Sequence, residues 1–190
     1  MIRLTGGEFN GRALATPATL KTRPSQAKLR QALLNSLQMR VPGSAVLDLF
    51  AGSGALGFEA LSRGAESAVF VENHKAAIQC IEQNCETLKV KSRAIILKES
   101  VEGFWKHLHG KTFDIVFCDP PYSEGWEMKL LQSVPWETVL NPGGVFCMEW
   151  GLHKSTFKKN GSELPKEVGC LIQIRERTYG DSVLTHYERV

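Results

Sequence analysis

Asp119-Pro120-Pro121-Tyr122 follows the apolar run Phe113-Asp114-Ile115-Val116-Phe117-Cys118. Two successive prolines fix the backbone and remove N–H donors. The carbonyls before them are then held as aimed acceptors. Asp119 adds a carboxylate acceptor and Tyr122 a flat ring. Acceptors beside a ring suit the exocyclic amine of a nucleobase. That nitrogen is a poor nucleophile, because its lone pair is delocalised into the ring. Hydrogen bonds from its two N–H groups to Asp119 and to a carbonyl near Pro120 would draw it towards tetrahedral geometry. The lone pair could then meet an electrophilic methyl in line with its leaving sulfur. Alignment of this kind supplies on the order of 7 kcal/mol of a barrier. The methyl sulfonium of S-adenosylmethionine is already a strong electrophile, so the chemistry calls for neither metal nor covalent nucleophile. Tyr122 would stack on a base that leaves its helix or comes from a loop. A plain helix cap at Asp119 and a rim aromatic at Tyr122 are the alternatives on the tetrapeptide alone.

A second stretch supplies a place for the methyl donor. Val46-Leu47-Asp48-Leu49-Phe50-Ala51-Gly52-Ser53-Gly54-Ala55-Leu56-Gly57 reads as a buried strand, a glycine turn and a helix. Gly52 and Gly54 let the backbone turn sharply and leave no side chain between it and a ligand. Free N–H groups at a helix N-terminus suit a nucleotide-like cofactor. Glu72 stands twenty residues after Gly52, at the end of Ala68-Val69-Phe70-Val71. That offset puts a carboxylate at the tip of the next parallel strand, where it can accept bonds from ribose hydroxyls. The literal Gly52-x-Gly54-x-x-Gly57 also fits a nicotinamide dinucleotide. That reading leaves Asp119-Pro120-Pro121-Tyr122 without a role.

The elements that must position these residues alternate. Strands are expected at 45–49, 67–71, 94–98, 113–118 and 145–149, with helices at 55–63, 74–88, 101–108, 125–133 and 152–159. Asn141-Pro142-Gly143-Gly144 reads as a turn before the fifth strand. Two last strands, 169–176 and 182–189, meet at Tyr179-Gly180-Asp181, a hairpin signal that makes the pair antiparallel. Such alternation predicts an α/β fold with a seven-stranded, mostly parallel sheet. Before it, short strands at Met1–Thr5 and Arg12–Ala15 lead to a helix over 26–39, capped by Ser25. Leu29, Leu33, Leu34 and Leu37 form its apolar stripe, with Lys28 and Arg30 off the stripe and expected to be exposed. A single domain over 1–190 is expected, with a basic N-terminal arm and first helix over 1–42 and a catalytic core over 43–190.

A hydrophobic content of 43% and a charged content of 23% are ordinary for a globular protein in water. No apolar run approaches the roughly 18 residues that a membrane span needs. No signal-peptide pattern opens the chain. Five scattered cysteines without a C-x-x-C pair predict free thiols in a reducing cytoplasm and no metal site. The net charge of +3 hides an asymmetry: residues 1–40 carry +6 and the rest −3. Arg3, Arg12, Arg23, Lys28 and Arg30 are therefore candidates for nucleic-acid phosphates, the alternative being a solvated surface.

Taken together, these residues resemble a known family. Asp48 to Gly57, Glu59-Ala60-Leu61-Ser62-Arg63-Gly64-Ala65, Glu72 and Asp119-Pro120-Pro121-Tyr122 are similar to the bacterial 16S rRNA guanine-N2 methyltransferases. Agreement extends to Gly6-Gly7, Gly11-Arg12, Arg23-Pro24-Ser25, Leu29-Arg30-Gln31-Ala32-Leu33-Leu34-Asn35 and Tyr179-Gly180-Asp181. The chain departs at Ser25, where the family often has Thr, and at Leu34, where it often has Phe. Lys98-Glu99-Ser100-Val101 stands where many members carry an Asn near the cofactor adenine.

The resemblance implies a Rossmann-like class I fold with a small N-terminal extension. It implies S-adenosyl-L-methionine as donor, S-adenosyl-L-homocysteine as product, and guanine 966 of 16S rRNA as target. The 30S subunit or an assembly intermediate, with its ribosomal proteins, is the implied partner of a cytoplasmic monomer. By the same resemblance Asp48, Phe50, Gly52, Ser53, Gly54, Glu72, Ser100 and Asp119 line the cofactor, with Glu72 on the ribose and Ser100 on the adenine. Asp119, Pro120, Pro121 and Tyr122 hold the guanine. Arg23 serves either the cofactor carboxylate or RNA. An adenine-N6 DNA methyltransferase, which also uses an Asp-Pro-Pro-Tyr motif, and an RNA-binding assembly factor without activity are the rival readings.

Overall fold

A computed structural model of the chain describes residues 2–17, 24–121, 124–151 and 163–190. Arg23, Tyr122 and the helix expected at 152–159 lie outside the described residues. The chain forms two compact units, Met1–Phe104 and Trp105–Val190.

The first unit begins with β1 (Ile2–Arg3) and β2 (Ala13–Leu14), paired antiparallel. Helix α1 (Pro24–Ser36) starts one residue before the expected Ser25 cap. Proline is well suited to that first helical position, because its fixed φ is already helical and no N–H is wasted. Leu29, Leu33, Leu34 and Leu37 are buried as the stripe requires. Three strands follow: β3 (Ala45–Leu49), β4 (Ser67–Val71) and β5 (Ala94–Leu97), parallel and in the order β5-β4-β3. Four consecutive residues of β3 and of β4 are buried, because helices cover both faces of such strands. The crossovers are α2 (Ala55–Ser62) and α3 (Lys75–Thr87). Phe58 on α2 and Phe70 on β4 place their ring centroids 4.8 Å apart.

The second unit holds β6 (Phe113–Cys118), α4 (Trp126–Ser133), α5 (Trp136–Val139), β7 (Leu140–Gly151), β8 (Glu167–Val168), β9 (Leu171–Tyr179) and β10 (Ser182–Arg189). Strands β6 and β7 are parallel, whereas β10 runs antiparallel to both β7 and β9. The hairpin therefore sits where the sequence puts it. Its loop is Gly180-Asp181, with Gly180 at φ +59°, a value that glycine takes without strain.

Three expectations are corrected. The expected turn at Asn141–Gly144 lies inside β7. There the register against β6 jumps from Phe113–Leu140 to Ile115–Val145, so the extra residues are absorbed as an irregularity in the ladder. The helix at 101–108 is a single 3-10 turn, Phe104–His107. The two-residue strand β8 adds an eighth strand to the seven expected after the N-terminal pair. So short a strand leaves no periodicity to read. The class stands: α/β, with parallel strands followed by antiparallel C-terminal ones.

Candidate active site

The glycine turn is held from both sides. Strand β3 ends at Leu49, and Phe50 and Gly52 both take φ +56°. Gly52 donates its N–H to Glu72 Oε2 at 2.8 Å. The other oxygen of Glu72 accepts from the N–H groups of Asn73 and His74, at 2.9 and 2.8 Å. One carboxylate thus ties the turn to the start of α3. It keeps one further acceptor position, on Oε2, since an ionised carboxylate accepts about four bonds. The N–H groups of Ser53, Ala55 and Leu56 take no partner among the described residues. Open donors at the start of α2 and a half-buried carboxylate acceptor at the tip of β4 are the groups a nucleoside with an amino-acid tail requires.

Asp48 is 2% exposed, and its Oδ2 accepts the Gly57 N–H at 2.9 Å. Burial raises its pKa from 3.8 to about 8, against the Gly57 bond, and the charge of Glu72 adds to the rise. Asp48 therefore acts first as the brace of α2. Gly57 is small for a different reason than ligand access. A Cβ there would lie 2.3 Å from Phe70 Cε1, so this glycine serves helix-to-strand packing. Ser100 is exposed, and its Oγ accepts the Glu102 N–H at 3.2 Å. Its described bond is local rather than to the turn.

Two side chains to which the sequence reading gave no role fasten the N-terminal segment within this unit. Glu59 on α2 is fully buried and accepts from the Thr5 N–H, the Thr5 hydroxyl and Arg63 Nε, at 2.9, 2.7 and 3.0 Å. Arg30 Nε lies 3.6 Å from the same carboxylate. Asn84 on α3 is 2% exposed, accepts the Ala15 N–H at 2.7 Å, and donates to the Ala15 and Ser53 carbonyls, each at 3.1 Å. The close seating explains Gly7: a Cβ on it would meet the Ser62 carbonyl oxygen at 1.7 Å. A signal for Asn84 was present. It stands three residues after Ile81 and seven after Ala77, so a polar group falls on the buried stripe and requires a partner.

This docking corrects one expectation about charge. Arg30 is not exposed: it is 8% exposed, donates Nη2 to the Arg3 carbonyl at 2.8 Å and faces Glu59. Burial lowers its pKa, and Glu59 opposes that shift. It braces the fold and is not available to phosphates. Arg3, Arg12 and Lys28 are exposed, with Arg3 bonded to the Gly11 carbonyl at 2.8 Å.

In the second unit, Asp119 follows directly on β6 and is half-buried, Pro120 is buried and Pro121 exposed. The Pro121 carbonyl accepts the Glu124 N–H at 3.4 Å, a long bond that closes the turn into α4. Glu127 on α4 is fully buried, with neither oxygen hydrogen-bonded among the described residues.

A family model described as Conserved hypothetical protein 95 matches residues 2–188. The chain is 37% identical over 188 residues to Ribosomal RNA small subunit methyltransferase D of Escherichia coli, an alignment covering 99% of this chain and 90% of that relative. The Haemophilus influenzae relative of the same name is 37% identical over 168 residues, 87% of each chain. A solved structure from Escherichia coli, named for a methyltransferase, superposes with a TM-score of 0.81 at 30% identity, covering 99% of this chain and 97% of that one.

Proposed function

We infer the function from the premise that the chain belongs to the Conserved hypothetical protein 95 family: it is an S-adenosyl-L-methionine-dependent rRNA methyltransferase, and its acceptor is the exocyclic N2 of a guanine in 16S rRNA, at position 966. The fold is the Rossmann-like one of its structural relative. The observation that carries the cofactor assignment is the bond from Gly52 N–H to Glu72. It brings a glycine turn and an acidic strand tip together, as a bound adenosine cofactor needs.

When bound, S-adenosylmethionine supplies a methyl on a positively charged sulfur. Gly52, Ser53 and Gly54 pass along its methionine portion without a side chain in the way at either glycine. Glu72 accepts from a ribose hydroxyl at its remaining acceptor position. Asp48 faces the amino group, and Phe50 and Ser100 are assigned to the rest of the nucleoside. In the second unit, Asp119 and the Pro120 carbonyl accept the two N–H groups of the guanine amine, and Tyr122 stacks on the base. As the donor's S–CH3 bond breaks to leave S-adenosyl-L-homocysteine and the N–C bond forms, Asp119 would take up the proton that the amine loses. Arg3, Arg12 and Lys28 take rRNA phosphates, with Arg23 assigned to cofactor or RNA. Glu127 has no assigned step.

The reading carries with it one methyltransferase domain over 1–190, acting as a cytoplasmic monomer on the 30S subunit or an assembly intermediate, with ribosomal proteins aiding recognition. Labelled methyl transfer to unmethylated 30S particles, naked 16S rRNA and duplex DNA, followed by nucleoside analysis, tests it. N2-methylguanosine from the particle or its rRNA is the expected product. N6-methyladenine in DNA would overturn the acceptor while keeping the cofactor. Absence of transfer to any substrate, with cofactor still bound, would point to a binding factor.

A further inference from the structure

Asn84 belongs to neither the turn nor the N-terminal segment, yet it bonds both. Its carboxamide orientation is unambiguous. The oxygen meets an N–H donor, that of Ala15, and the nitrogen meets two carbonyls, those of Ala15 and Ser53. A planar group held at three points in a buried site cannot follow one partner without dragging on the other. On one side is Ser53, flanked by the two positive-φ glycines, so its carbonyl is set by a backbone that can swivel. On the other is Ala15, which directly follows β2. Strand β2 pairs with β1, whose Arg3 is exposed, as is Arg12 just ahead of β2.

We propose that Asn84 is a positioning residue that couples the cofactor turn to the N-terminal segment, so that S-adenosylmethionine and substrate RNA bind cooperatively. The inference rests on the functional reading above. A ligand that fixes the Ser53 carbonyl fixes the Asn84 amide, which presets the Ala15 backbone and the strand pair that carries the exposed arginines. Linkage makes the effect reciprocal: RNA held by the segment must tighten the cofactor by the same factor.

The test measures affinity of the whole protein for unmethylated 30S particles with and without saturating S-adenosylhomocysteine, and the reverse. In the wild type each ligand should tighten the other by about tenfold, a usual size for such coupling. Asn84→Asp keeps the acceptor for the Ala15 N–H but sets an oxygen against two carbonyls. It should bring the factor close to one. Arg12→Ala should weaken particle binding in both cofactor states and keep the factor above one, because Arg3 still stands on the strand pair. A purely structural role predicts instead that Asn84→Asp weakens one or both ligands with the factor preserved, and that result would overturn the proposal. So would a wild-type factor of one alongside normal methyl transfer, which needs no variant to fold. A wild type that binds no S-adenosylhomocysteine would sink the functional reading itself.

Discussion

Asp48 departs far from its ordinary chemistry. Its pKa of about 8 exceeds the usual 3.8, so between those values the folded chain holds a proton that the unfolded chain has released. Stability from this group is full below about pH 4, is lost as pH rises to about 8, and is level above that. Cofactor binding pushes the other way. A cationic amino group beside Asp48 favours its charged form and expels the proton. Affinity for S-adenosylmethionine should therefore rise with pH up to about 8. Calorimetry in two buffers of different ionisation enthalpy should detect the released proton. Asp48→Asn keeps an acceptor for the Gly57 N–H and should flatten the curve. A pH profile unchanged by that substitution would remove Asp48 from the cofactor.

The other two carboxylates are expected to divide the work. Glu72→Ala frees the Gly52, Asn73 and His74 N–H groups together and should weaken the cofactor tenfold or more, about 1.4 kcal/mol per decade. Asp119→Ala should lower turnover by on the order of a hundredfold, the usual lower range for a positioned acid–base group, with cofactor affinity kept. Titration and single-turnover rates separate the two. Loss of cofactor in Asp119→Ala with turnover preserved at saturation would reverse the assignment.

At the scale of elements, the contact of α2 with β4 fixes where the turn can be. Gly57 is helical and would ordinarily gain about 1 kcal/mol from alanine. Here the new Cβ would lie 2.3 Å from Phe70, and Phe70 is fully buried against Phe58. Overpacking costs about 1–3 kcal/mol, so the clash outweighs the propensity. Gly57→Ala should lower Tm by several degrees, and adding Phe70→Leu should recover part of the loss. An unchanged or raised Tm for the single variant would show that the ring can move aside. These elements were legible because each has a period: the Leu stripe of α1, the apolar runs of β3, β4 and β6, and the Gly180-Asp181 hairpin. What was not legible lacks one. Strand β8 is two residues long. The Asn141–Gly144 irregularity has turn chemistry yet stays inside a strand, because Leu140 already pairs with Phe113 before it.

At the scale of the whole molecule, the sequence reading treated residues 1–42 as a basic arm ahead of a core. The structure makes its described part an integral layer of the first unit, seated on Glu59 and Asn84. Composition cannot report such docking, because it depends on partners about 54 and 69 residues away along the chain. Docking also sorts the basic residues. Arg30 is consumed inside, whereas Arg12 and Lys28 stay in solvent. The charge pattern of the chain, +6 over residues 1–40 against −3 beyond them, then acts through the exposed members alone. Each phosphate that they neutralise releases bound counterion, which sets the slope of log affinity against log salt at roughly −0.7 to −0.9 per contact. Replacing Arg12 and Lys28 together by alanine should therefore reduce the magnitude of the slope by roughly 1.4 to 1.8 if each takes one phosphate. Arg30→Ala should instead remove one of the two cations at the buried Glu59 carboxylate, with Arg63 still bonded to it, and leave the Arg3 carbonyl without its Nη2 donor. It should cost stability, on the order of 1–3 kcal/mol, with little change in slope. Binding measured across a salt series, with thermal unfolding of the same variants, separates the two kinds of arginine. An unchanged slope for the Arg12 and Lys28 variant would return this surface to plain solvation and move the RNA contact elsewhere.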